Sequence, residues 1–239
     1  MLFEWNDKTI DYYSRAAEYT GYFRELAKLV SPALEPSDTL LDVGCGTGLI
    51  DMELAPSVRS VTAADRNEKA LSYLREESAR RGIGNIRAKL CEADECVGED
   101  YDMLLMCFFG NPDESMKRLI GGARRGAVIM THADNTDRSR STLGAEIKRV
   151  FASEVREFLG REGFTFEEQA EALDFSQPFI SEDDAKAFFE MYSLNPNAEE
   201  RIAAAERRMA ELIPADPPYA LCLPKERRTS IFIVKSGGR

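Results

Sequence analysis

Between Thr39 and Ala55 the chain passes from a short apolar run, TLLDV, through GCGTG into an amphipathic stretch that starts at Leu49. Gly44, Gly46 and Gly48 occupy alternate positions, just behind an acid, Asp42. Glycines are entropically costly to order, and their benefit is a backbone that turns tightly and lets a ligand come close. The pattern predicts strand, tight turn and helix in direct succession. A strand that feeds straight into a helix returns to its sheet by a crossover, which favours a parallel α/β sheet over a bundle or a sandwich.

The alternation continues downstream. Val58 to Ala64 reads as a second strand ending in Asp65, Asn67 to Arg81 as a helix closed by Gly82 and Gly84, and Ile86 to Leu90 as a third strand. Tyr101 to Phe108 is a fourth strand, Asp113 to Gly121 a helix, and Ala127 to Thr131 a fifth strand. A polar loop follows His132, then a helix from about Leu143 to Gly160, a strand candidate from Phe164 to Phe175, and the terminal strand Thr229 to Lys235. Strands separated by helices imply a doubly wound sheet. Ahead of it, Ile10 to Val30 carries apolar residues at helical spacing until Pro32 and Pro36 end the pattern, predicting one or two helices. Between the last two strands, Ser181 caps a predicted helix over EDDAKAFFEMY, a turn falls at Asn195 to Asn197, and a second helix runs from Ala198 to Leu212. That segment reads as an inserted helical cap, joined back to the sheet by the extended PADPPY connector.

Charge narrows the function classes. The 239 residues hold 31 Lys plus Arg against 42 Asp plus Glu, a formal net charge of −11 that repels phosphate backbones and disfavours a nucleic-acid partner. No apolar run reaches the roughly 18 to 20 residues of a membrane span, and Met1 to Lys8 lacks a signal-peptide profile, so a cytoplasmic protein without a membrane partner is expected. Cys45, Cys91, Cys96, Cys107 and Cys222 form no CxxC pair, and His132 is the one histidine, so no metal is expected. The glycine spacing also argues against a dinucleotide. Counted from Gly44, G-x-G-x-x-G would need its third glycine at Leu49.

At these residues, DVGCGTG followed by Asp65 at the end of the second strand, the chain resembles the class I S-adenosylmethionine-dependent methyltransferases, of the small bacterial and archaeal type. The resemblance covers roughly Trp5 to His132. It implies a Rossmann-like α/β fold with a doubly wound, seven-stranded, mostly parallel sheet whose final strand is antiparallel. It also implies S-adenosylmethionine as cofactor and S-adenosylhomocysteine as product. Asp42, Gly44, Cys45 and Gly46 would form the cofactor loop. Asp65, with Arg66 beside it, would grip the ribose through two carboxylate oxygens that suit two hydroxyl donors. Glu92, Ala93 and Asp94 would face the adenine, with the register between Glu92 and Asp94 open. Cys107 would lie beneath the sulfonium, and Phe108 and Phe109 would face the substrate. Tyr12, Tyr13, Arg15 and Tyr19 belong to the helix that such enzymes fold over the cofactor, where Arg15 would pair with the methionyl carboxylate.

Simpler roles stay open for several of these. Asp65 could cap the following helix, Phe108 and Phe109 could be core, Tyr12 and Tyr13 could be packing, and Cys45 and Cys107 read as small buried hydrophobes. Arsenic methylation would require Cys91, Cys96 and Cys107 to converge in space. His132 lies on the sheet's carboxyl edge, where its ordinary pKa would let it accept a proton near neutrality. The basic run Lys225 to Arg228 reads as a solvated turn. The expected organisation is a single domain, with residues 1–36 as lid, 37–175 and 229–239 as core and 176–228 as cap. The expected activity is methyl transfer to a small molecule by in-line displacement, with His132 as the candidate base and homodimer formation open. The alternatives are a cofactor-binding regulator or inactive homologue, a protein methyltransferase, and an NAD(P)-dependent oxidoreductase.

Overall fold

A computed structural model describes residues 5–134, 149–193 and 197–236. Asn6 opens the first helix, α1 (Asp7–Thr20), by accepting the Lys8 and Thr9 amides, and Gly21 at φ 65° turns the chain into α2 (Tyr22–Val30). The core then alternates as the sequence predicts. It runs β1 (Thr39–Val43), α3 (Leu49–Leu54), β2 (Ser60–Asp65), α4 (Glu68–Arg80), β3 (Ile86–Leu90), β4 (Met103–Cys107), α5 (Glu114–Gly122) and β5 (Gly126–His132). After it come α6 (Ala152–Arg161), β6 (Thr165–Asp174), β7 (Gln177–Phe179), α7 (Glu182–Met191), α8 (Ala198–Arg208), β8 (Ile213–Pro214), β9 (Leu221–Leu223) and β10 (Glu226–Lys235).

The main sheet has seven strands in the order β3-β2-β1-β4-β5-β10-β6. Its first five strands pair in parallel, and β10 is antiparallel to both β5 and β6. Strand periodicity builds a core on each face. Leu40, Leu105 and Val128 pack with Tyr22, Leu26 and Leu49 on one side, while Leu41, Leu104 and Ile129 pack with Met116, Leu119 and Phe158 on the other. The edge strand β6, TFEEQAEALD, is largely exposed, and its glutamates discourage edge-to-edge pairing.

Three differences from the sequence reading matter for the site. The segment between β6 and β10 holds, besides α7 and α8, a small antiparallel sheet in the order β7-β9-β8. The last strand begins at Glu226, three residues ahead of the expected Thr229, because Glu226 to Arg228 pair with Ala172 to Asp174 of β6. The helix expected from about Leu143 starts, among the described residues, at Ala152, since Phe151 instead bridges to His132. Leu143 itself, most of the polar loop after His132, and Asn195 and Pro196 of the expected turn lie outside the described residues. Among the described residues no helix is long and apolar enough to cross a membrane.

Candidate functional site

Strand order reverses between β1 and β4, and in doubly wound sheets the crevice outside such a reversal receives ligands. A cavity of about 1430 Å³ opens there. Pockets for one drug-sized ligand span roughly 300 to 1,000 Å³, so there is room for two molecules.

The glycine loop, the end of β2 and the segment after β3 form one side. Gly44, Gly46 and Gly48 all have positive φ, at 75°, 54° and 65°, which explains their identity. A Cβ on Gly46 would stand 2.8 Å from the Trp5 ring, and one on Gly44 would overlap Phe109, so both rings lie directly on the loop. Asp65 follows at the rim. Its Oδ2 accepts the Gly46 amide and its Oδ1 the Asn67 amide, each at 2.8 Å, leaving each oxygen capacity for one more donor. It does not cap α4. Asn67 does, accepting the Ala70 amide at 3.0 Å. Cys45, Arg66, Glu92 and Ala93 also line this side. Asp94 lies outside the wall, bonded to Ser115 and facing Arg118, because the 3₁₀ turn from Ala93 to Cys96 rotates it away.

Asp42 is also absent from the lining. It is fully buried under the loop, and burial together with the Asp51 charge pushes its carboxyl well above the ordinary range. Asp51 of α3 is pushed up to about 7 by burial. Asp42 therefore supports the loop from below. The Cys45 and Cys107 thiols are likewise pushed up by burial, so both remain protonated. Cys91 and Cys96 bring their sulfurs within 3.5 Å, whereas Cys107 faces the Met130 sulfur at 3.9 Å, so the three do not converge. Among the described residues no three His, Cys, Asp or Glu side chains gather as metal ligands.

The N-terminal helix contributes differently from its expected role. Tyr13 lines the cavity, with Trp5 edge-on to it at 5.2 Å. Arg15 points to the opposite side of α1. Its Nη1 donates to Asp184 Oδ2 at 2.6 Å and its Nη2 pairs with Asp11, so it is not available to a cofactor carboxylate. Tyr12, packed among Phe179 and Phe188, donates to Asp184 Oδ1 at 3.0 Å. Tyr19 meets Tyr219 edge-to-face, away from the cavity. Helical periodicity separates these residues: those on the Tyr13 face meet the cavity, and Tyr12, Arg15 and Tyr19 fall on others.

The opposite side of the cavity is built from the ends of β4, β5 and β10 and from the cap. Cys107, Phe108 and Phe109 follow one another here, and Phe108 holds a left-handed φ of 53°, which is strained for an aromatic residue. Its amide donates to Met130 O at 2.9 Å, anchoring the turn. Phe188 and Tyr192 of the cap, with Phe175, complete the apolar wall. His132 lies beside Phe108 with its Nδ1 buried and unpartnered. Burial, and the charges of Arg227, Arg149 and Lys225, pull its pKa down to about 3, so the imidazole stays neutral near pH 7 instead of titrating there.

The same wall corrects the solvated-turn reading for Lys225 and Arg227, which are half-buried, while Glu226 and Arg228 are exposed. The run lies along the cavity, and burial with three neighbouring arginines lowers Lys225 to about 7. Arg227 stacks on Phe175 at 3.7 Å, with Tyr22 and Phe108 at 5.1 and 5.2 Å. Sequence reasoning also passed over Trp5 and Arg149. Trp5 stands at the start of the stretch that carries the resemblance and was a legible signal; Arg149 reaches the cavity only through tertiary placement.

Comparison with known proteins agrees with this geometry. The model of a family described as "Methyltransferase domain" matches residues 34–169, more than half of the chain. A probable cobalt-precorrin-6B C(15)-methyltransferase (decarboxylating) of Methanothermobacter thermautotrophicus is 34% identical over 115 residues, which is 45% of this chain and 59% of that protein. The chain thus spans less than two thirds of the relative's length. The YcgJ protein of Bacillus subtilis superposes with a TM-score of 0.60 at 12% identity, covering 91% of this chain and all of that one. Magnesium protoporphyrin IX methyltransferase from Synechocystis PCC 6803, solved with bound SAH, gives 0.56 at 14% identity, covering 99% and 90%. At such identities the likeness is one of fold.

Proposed function

The chain belongs to the class I S-adenosylmethionine-dependent methyltransferases, and from that premise we propose that it transfers a methyl group to a small molecule held in the cavity between sheet and cap. The observation that carries this reading is a single cavity with two chemically distinct sides. The glycine loop and Asp65 lie on one side, and an aromatic wall with His132 lies on the other. The cofactor would supply a methyl group already activated on a sulfonium. Asp65 would hold the ribose hydroxyls with its remaining acceptor capacity, Glu92 and Ala93 would face the adenine, and the backbone of Gly44 to Gly46 would border the amino-acid portion. Trp5, Phe108 and Phe109 present π faces suited to a cation.

On the acceptor side the chain's task is to align a nucleophile and keep water out, which can supply several kcal/mol of barrier lowering. Neutral His132 accepts a hydrogen bond from an acceptor's hydroxyl or amine and so fixes its orientation. Phe188 and Tyr192 of the cap roof the site, which favours a small acceptor over a protein side chain.

The test is a calorimetric titration of the purified chain with S-adenosylhomocysteine and, separately, NAD. The chain's one tryptophan, Trp5, stands over Gly46, so its emission gives a second readout. We expect homocysteine-product binding that Asp65→Ala weakens at least tenfold, the loss of one or two charge-assisted hydrogen bonds. NAD binding without a response to the product would refute the reading. A cobalt-precorrin, the substrate in the archaeal relative's name, is the first compound for an acceptor screen.

A further inference from the structure

The chain carries a net charge of −11, yet six cationic side chains line its cavity against four carboxylates. Two of those carboxylates are already paired: Glu226 with Arg228 at 2.7 Å and Glu211 with Arg208 at 3.2 Å. The other two, Asp65 and Glu92, follow β2 and β3, at least four strand spacings from β10. At about 4.8 Å per spacing that is roughly 19 Å. On the β5–β10 side, Arg149 and Arg227 therefore face no carboxylate among the described residues.

The surroundings of Arg227 make the imbalance specific. Phe175 covers one face of its guanidinium at 3.7 Å, and Tyr22 and Phe108 stand around it. Aromatic rings stabilise a cation through their faces without neutralising it, and a stacked guanidinium keeps its N–H donors in its own plane. The polar neighbours are the Tyr13 and Tyr22 hydroxyls. Arg149, Lys225 and His132 lie within its field, and all three have lowered pKa values for that reason as well as burial. Concentrating like charges in a partly dry wall is costly unless an anion arrives to offset them.

We propose that the methyl acceptor bears an oxyanion, a carboxylate or a phosphate, that docks in the plane of the Arg227 guanidinium beside Arg149 and places the rest of the molecule against Phe108 and His132. This rests on the methyltransferase reading and adds the acceptor's chemical class. Planar, two-pronged donation is the geometry that carboxylates and phosphates accept best. The placement also gives the neutral imidazole a function. Once the anion compensates the arginines, the field that keeps protons off His132 weakens, and its capacity as a base rises when the acceptor is bound.

The test uses the full chain saturated with S-adenosylhomocysteine and titrated with benzoate, phenyl phosphate and the uncharged benzamide. At least one anion should bind tenfold or more tightly than benzamide, and the better of the two names the group. Arg149→Gln, which leaves the aromatic cage intact, should abolish the preference while product affinity stays within about twofold. The proposal is overturned if benzamide binds as well as the anions, if neither anion binds, or if the preference survives both Arg149→Gln and Arg227→Gln. It is also overturned if Arg227→Gln weakens the homocysteine product but not 5′-methylthioadenosine, which lacks the amino-acid carboxylate, with the anion preference unchanged. Arg227 would then serve the cofactor. Failure of the unaltered chain to bind the product sinks the methyltransferase reading instead, and the anion comparison remains readable on the free protein.

Discussion

At the residue scale, the loop's chemistry depends on two acids that never reach the cavity. Asp42 and Asp51 are completely buried, and burial raises both, Asp51 to about 7 and Asp42 well above the ordinary range. A carboxyl whose folded-state pKa exceeds its unfolded value favours folding fully at low pH, and that contribution is lost as pH rises through the folded value. The window here runs from about 4 to 7. Asp51→Asn removes the charge that Asp42 would otherwise face, so the variant should gain stability relative to the parent as pH goes from 5 to 8. Urea midpoints across that range test it, and a pH-independent difference would contradict it. His132 offers a cleaner measurement because it is the one imidazole in the chain. With its pKa held near 3, its Cε1 proton resonance should stay constant from pH 8 to pH 5 in the ligand-free protein. An inflection near 6.5 would mean that neither burial nor the neighbouring cations act on it.

At the scale of elements, one acid ties α7 to α1. Asp184 of α7 takes the Arg15 guanidinium and the Tyr12 hydroxyl of α1, with the Arg15 and Asp184 side chains only 15% and 13% exposed. Breaking a pair that is neither open to solvent nor fully buried costs on the order of 1–3 kcal/mol. Asp184→Ala should lower stability by about that much and shift the emission of Trp5, which precedes α1. Unchanged emission would show that α1 holds its place without the cap. The sequence made the core elements legible because a glycine turn, strand runs and helix caps are local signals that tertiary context does not reverse. It did not reveal β7, β8 and β9, since two or three residues carry no readable period. Nor did it reveal the destination of Arg15, or of Lys225 and Arg227. Charged residues default to solvent, and only the pairing of β10 with β6, and the packing of α7 on α1, turn those side chains inward. Of the candidate residues, Gly44 to Gly46, Asp65 and the strand ends reach the cavity, whereas Asp42 stays buried beneath the loop. Those assigned by helix membership alone divide between cavity and packing.

At the scale of the whole molecule, the ligand cavity lies between the sheet, the N-terminal helices and the cap, so it exists only when all three are assembled. A ligand that binds such a site binds the native state and not the unfolded chain, and it stabilises by mass action. At a hundred times its dissociation constant the gain is about 2.7 kcal/mol. For a domain of this size about 1 kcal/mol moves Tm by roughly 2–4 °C, so saturating S-adenosylhomocysteine should raise Tm by about 5–10 °C. A tenfold weaker Asp65→Ala retains about 1.4 kcal/mol at the same concentration, so its shift should fall to about half or less. NAD should produce none, because the loop lacks the third glycine of the dinucleotide pattern. Benzoate or phenyl phosphate added to the product-bound protein should raise Tm further, and benzamide should not, because both sides of the cavity are then occupied. Equal shifts from product and NAD would show that the cavity recognises adenosine alone, and the amino-acid portion of the cofactor would have no place on the glycine loop.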